Sequence, residues 1–337
     1  VRINQKIFLH ENIFEQLITD KSIIGERTMK KLYILMVLIT SLAITNSFAQ
    51  QDSAKTDDEW KWHWGDEEDW GWNWSWDEDF DFGFSKSRPA ISLNYGISNI
   101  SRDGLNKEFV NPNLLELKLG YIKEHSAWGK DNLINQRYRN VFVSNESNKL
   151  AGKDAQGLEI ESDMWRIGFE RSSGSGYKLG DNSGLIFYNG YTLNWSRIDF
   201  KYPQILTLLP DSEIDILNMY DETFRFGTSG VGGIRIKMID NLMLNASYER
   251  SIVFQRHLFW KWAGSAIIES AAQGLLDKFI DEIFESSPYA GPVVSFVLKN
   301  ALSYGIYELR QEKMNWPFNS EAPLSYDQFK FGLTFVF

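Results

Sequence analysis

From Phe329 to Phe337 every second residue is large and apolar: Phe329, Phe331, Leu333, Phe335 and Phe337. Gln328, Lys330, Gly332, Thr334 and Val336 fall on the other parity. Side chains alternate across a strand, so this stretch has one apolar face and one different face. The pattern recurs. "ISLNYGI" (91–97), "LELKLGY" (115–121), "WRIGFER" (165–171), "LIFYNGYTLNW" (185–195), "FRFGTSGVGGIRIKM" (224–238) and "LMLNASYE" (242–249) each place apolar residues on one parity. With the last segment that makes seven strands, and the weaker "RYRNVFVSN" (137–145) is the best eighth.

The chain has no cysteine, which excludes a disulfide framework and thiolate chemistry. Its net charge of −10 is confined to one segment: residues 57–81 hold eleven carboxylates against Lys61. The rest is close to neutral, so no basic face is available for nucleic acid. Residues 29–49, "MKKLYILMVLITSLAITNSFA", read as a Sec-type signal peptide. Lys30 and Lys31 form the basic start, Leu32–Thr45 the apolar core, and Ser47 and Ala49 the small residues before cleavage between Ala49 and Gln50. A membrane anchor would need a longer core. Residues 1–28 precede Met29 and read as an over-called upstream extension, and the exported part then starts near Gln50.

The terminal strand resembles that of bacterial outer-membrane β-barrels, and the chain as a whole is similar to small Bacteroidota-type barrels with an acidic, Trp-containing spacer. The resemblance implies outer-membrane residence. It also implies that Phe329, Phe331, Leu333, Phe335 and Phe337 form the C-terminal signal read by the barrel assembly machinery. Single-chain barrels of this kind have even strand numbers, short turns on the periplasmic side and longer loops outside. Eight strands meet the first condition. The connections meet the second, because short gaps near 125–135, 173–182 and 239–241 alternate with long ones near 99–113, 145–161, 199–222 and 255–324. The expected fold is an all-β membrane barrel of about eight antiparallel strands. Glu116, Lys118, Arg166, Glu170, Arg225, Arg235, Lys237, Glu249 and Lys330 then point inward. A barrel this narrow is filled by its own side chains, so these charges are read as a mixed-sign paired network without an open pore.

Residues 257–313 break the pattern. Ile267, Ala271, Leu275 and Phe279 recur at helical spacing, "SSP" (286–288) is a stop and cap, and a second helical stretch follows from 289. An α-helical hairpin is therefore expected before the last strand. Two placements stand: a pair packed on itself over the barrel mouth, or, because residues 289–309 are apolar save Lys299 and Glu308, a helix lying in the membrane beside the barrel. "FWKW" (259–262) and Trp316 suit the membrane boundary.

Between cleavage site and first strand, residues 50–87 alternate tryptophan with acid. Such charge density opposes compaction, so this segment reads as a disordered periplasmic tether. Trp70, Trp72, Trp74 and Trp76 are its candidate binding row for a periplasmic or envelope protein partner. No metal-ligand spacing, phosphate loop or G-x-S-x-G elbow is present, and no cofactor is implied. The sequence favours a non-enzymatic outer-membrane barrel with a structural, adhesion or envelope-partner role. The alternative is a lipid-handling enzyme or narrow transporter with an active rim at the insert, where His257 lies near Ser251 and Ser265 in sequence.

Overall fold

The computed structural model describes residues 87–105, 108–127, 130–152, 159–201 and 211–337. The upstream extension, the signal peptide with Ala49 and Gln50, and the tether up to residue 86 with Trp70, Trp72, Trp74 and Trp76 lie outside the described residues. Eight strands form: β1 (Ser87–Arg102), β2 (Asn113–Ala127), β3 (Lys130–Ser147), β4 (Glu161–Lys178), β5 (Gly184–Lys201), β6 (Phe224–Ile239), β7 (Leu242–Val253) and β8 (Leu324–Val336). Each pairs antiparallel with the next, and β8 returns to β1 with Ala90 opposite Val336 and Arg102 opposite Leu324. The sheet is thus a closed barrel, which removes the unpaired edges an open sheet would leave. Three connections at one rim are short, and four at the other are long.

Most strands run several residues past their alternating cores. The weak segment 137–145 is the middle of β3. "SGSG" (173–176), expected as a turn, is instead paired strand: Ser173 lies opposite Asn189 and Gly176 opposite Ile186. The reason is steric. A Cβ on Gly176 would come within 1.9 Å of the Leu185 carbonyl oxygen, so a glycine run that reads as a turn marks a crowded wall. The reversal itself occupies residues 179–183.

The polarity is that of a soluble protein turned inside out. Leu93, Ile167 and Phe169 are 53%, 55% and 58% exposed on the outer surface, while Arg166 and Lys330 are each 1% exposed inside. The interior has three layers. At the long-loop rim an apolar plug joins inward strand residues Ile100, Met164, Ile198 and Tyr326 to loop residues. Phe109 and Ile160 reach it from a two-residue bridge, in which Val110 N–H donates to Ile160 O at 3.0 Å. Helix α1 (Asn148–Ala151), capped by the Ser147 hydroxyl, lies at the same rim. Helix α2 (Asp211–Asn218) adds Leu217. The middle layer is ionic, and a small apolar group of Ala90, Ile122, Tyr138, Met243 and Val336 closes the short-turn rim.

The insert folds as two helices, α3 (Phe259–Ser286) and α4 (Gly291–Glu312). The stop falls at Ser286–Ser287 as expected. Pro292, and not Pro288, takes the first-turn position that a proline suits. Leu276, Ile280 and Phe284 of α3 are buried, and the Phe284 ring fills the space where a Cβ on Gly291 would stand, 2.0 Å away.

Candidate functional site

The ionic layer satisfies itself. Arg166 donates to Glu249 at 2.6 Å, to Gln328 at 3.0 Å and to Glu146 at 3.2 Å. Lys330 bridges Glu116 at 3.0 Å and Glu249, and Lys118 bridges Glu116 at 3.3 Å and Glu170. Arg235 lies over the Tyr188 ring at 3.7 Å and donates to Gln136 and Ser172. Four buried carboxylates therefore face four buried cations. Such charges are tolerable out of water only with partners on every side. Of the nine charges expected inside, Arg225 and Lys237 stand apart: Arg225 donates to the Met219 carbonyl near the long-loop rim, and Lys237 pairs with Glu124 and Asp240 at the other. Glu146, which the alternating cores did not assign inward, completes the network.

The three residues of the alternative active rim have separate partners. Ser251 points into the barrel and donates to Glu249 at 3.0 Å. The Ser265 hydroxyl accepts from Arg310 at 2.8 Å. His257 packs among rings, 5.1 Å from Phe226 and 5.8 Å from Trp262. Phe329, Phe331, Leu333, Phe335 and Phe337 all stand exposed on the outer face.

The unusual site is the seam between the hairpin and the outside of the barrel. Of the two placements the sequence leaves open, the contacts put the hairpin beside the barrel and not over its mouth. α4 leans along the outward faces of β4, β5 and β6. Phe296 meets Phe187 at 5.5 Å, and the Tyr177 hydroxyl, one residue from the end of β4, donates to Tyr289 O at 2.6 Å. The hairpin thus leaves the long-loop rim at Phe259 and turns near the short-turn rim. At about 1.5 Å per residue α3 has the reach for this. Gly230 and Gly232 make room. Ideal Cβ atoms there would lie 2.5 Å from Ser303 Oγ and 2.0 Å from Asn300 Oδ1. Two glycines of "GVGG" (230–233) thus face outward and admit a helix.

Polar groups line this seam. Arg310 pairs with Glu269 at 3.0 Å, and both are almost wholly buried. Lys299 pairs with Asp277 at 2.7 Å. Arg250 of β7 stacks on Tyr304 and Tyr248, 5.1 Å and 5.5 Å from their ring centres. Asp327 of β8 sits beside Arg250, Tyr248 and Tyr307. A cavity of about 30 Å³, one water in size, is lined by Tyr191, Thr228, Arg250, Glu269, Tyr307 and Arg310. Arg310 Nε is buried without a hydrogen-bond partner among the described residues, and the Tyr307 hydroxyl reaches Asp327. At the hairpin's foot Arg256 pairs with Glu321. Partial burial pushes the Glu321 carboxyl up, but a backbone N–H and Arg256 together hold it below the usual carboxylate range.

One signal could have found the seam. Arg250 and Asp327 fall on the apolar parity of their strands, in line with Leu244, Tyr248, Phe329 and Phe331. Charges on an otherwise apolar outward row call for a partner that covers them.

No protein-family model matches the chain, and no curated protein is similar to it. Two solved barrels are similar in fold. The attachment invasion locus protein Ail of Yersinia pestis is 12% identical, with a TM-score of 0.31, over 75% of this chain and 99% of that one. Neisserial surface protein A (NspA) is 8% identical, with a TM-score of 0.34, over 74% of this chain and 97% of that one. At these scores the likeness adds nothing to the strand order already described.

Proposed function

We propose that this chain is an outer-membrane barrel acting as a closed, non-enzymatic scaffold with a structural, adhesion or envelope-partner role. One observation carries the reading: a closed ring whose outward row is apolar and whose interior is filled from rim to rim. Only helices and closed barrels satisfy every backbone group in lipid, and this ring meets that condition with its apolar side outward. An interior plugged by paired charges and two apolar layers offers solutes no path. We assign the outward row of β8 to recognition by the barrel assembly machinery. The test is expression with fractionation, followed by reconstitution in planar bilayers. The chain should resist extraction by salt and urea, require detergent, and give no step conductance. Recovery as a monomer in detergent-free buffer, or discrete ion-conducting steps, would refute the closed-barrel scaffold.

A further inference from the structure

We propose that the hairpin is itself a membrane-embedded part of the wall, with the outer face of α3 against lipid acyl chains. This rests on the barrel reading and extends it to an element that crosses beside the ring. Among the described residues no helix is long and apolar enough to cross a membrane. That standard suits a helix with lipid on every side. Several of the groups that lower hydropathy face protein: Ser265 and Glu269 meet Arg310, and Asn300 and Ser303 meet the wall glycines, while the half-exposed Lys299–Asp277 pair stands just past the apolar stretch.

The free face of α3 is different. Ile267 and Leu275 are 69% and 71% exposed, and Ile268 and Ala271 are exposed beside them. α3 is apolar on its buried side too, where Leu276, Ile280 and Phe284 pack. A helix with water on one face would carry charges there. From Trp262 to Leu276 the only charge is the buried Glu269. Those residues span about 22 Å at 1.5 Å each, close to the roughly 25 Å apolar band of a barrel. Lys261 bounds the stretch on one side and Asp277, Lys278, Asp281, Glu282 and Glu285 on the other. Trp260, exposed, stands just before its first residue, where an amphipathic ring sits at a membrane boundary. The strand faces the hairpin leaves bare carry the same apolar belt: Trp165, Ile167 and Phe169 on β4 are all more than half exposed.

The absence of cysteine allows single-cysteine spin labels in the otherwise native chain. Labels at Ile268→Cys, Leu275→Cys, Glu285→Cys and Ile167→Cys, reconstituted in phosphatidylcholine vesicles, are compared for collision with oxygen and with a water-soluble nickel chelate. The expected result is that Ile268→Cys and Leu275→Cys match Ile167→Cys, favouring oxygen by tenfold or more over Glu285→Cys. Chelate access at position 275 with Ile167→Cys still in lipid would overturn the proposal and leave the barrel reading standing. Chelate access at both would overturn the two together. Low access of both reagents at 268 and 275 would mean that a second copy covers the face, which also overturns lipid as the occupant.

Discussion

Arg166 sits where two carboxylates, an amide oxygen and two rings converge. Glu249, Glu146 and Gln328 accept its hydrogen bonds, and its guanidinium lies 4.9 Å from the Tyr326 ring centre and 5.3 Å from that of Phe142. Removing it takes the paired cation from Glu146 and one of two from Glu249, both buried. Arg166→Ala should therefore lower stability by about 3–5 kcal/mol, the usual cost of breaking a buried pair from one side. Thermal unfolding in detergent, followed by the shift between folded and unfolded gel mobility, reads this directly. Arg166→Met with Glu146→Gln and Glu249→Gln should recover much of the loss, because no bare carboxylate then remains beside the methionine. Arg166→Lys should recover less, since a single ammonium cannot reproduce the fork.

At the scale of elements, the hairpin and the wall need each other. Without the hairpin, the outward faces of β6, β7 and β8 present Arg250, Asp327, Thr228 and two bare glycines where neighbouring strands present Leu, Ile and Phe. A charged residue on the lipid face costs about 2–4 kcal/mol at the membrane midplane, less near its boundary. Replacing residues 257–313 by a short loop should therefore lower the yield and melting temperature of the folded barrel, as measured by circular dichroism in micelles. Arg250→Leu with Asp327→Leu in the shortened chain should restore part of both. A shortened chain as stable as the full one would show that the wall needs no cover. The sequence made these strands legible because each has an apolar outer face and a polar inner one, so its two parities differ in chemistry. It made the hairpin legible as helices for the same periodic reason. The hairpin's place was not legible: apolar residues on both sides of α3 do not say which side meets protein. The loop plug was hidden too, because Phe109, Ile160 and Leu217 sit in connections that carry no period.

At the scale of the molecule, the ring closes when β8 finds β1. The outward residues of β8 make no demand on the ionic layer, so the assembly role proposed for them would separate from their role in the finished fold. Phe331→Ser with Phe335→Ser should cut the amount reaching the outer membrane several-fold in pulse-chase experiments, while purified protein still refolds into detergent. Equal losses in both would place the effect in stability and remove the assembly role. The same scale explains why burial reads so unusually. Arg166 and Lys330 rank among the most buried large side chains while Phe and Leu cover the outside, as expected of the proposed barrel in lipid, where outer face and interior exchange the parts that core and water play in a soluble domain.

A bare barrel is nearly the same from every compass bearing in the bilayer plane. Two helices strapped to one flank end that equivalence and give the protein a heading. A neighbour drifting sideways meets rounded helices over β4–β6 but a corrugated strand surface from β1 to β3. On the proposed placement in lipid, lateral encounters would be sorted by angle of approach before any loop above or below the membrane takes part.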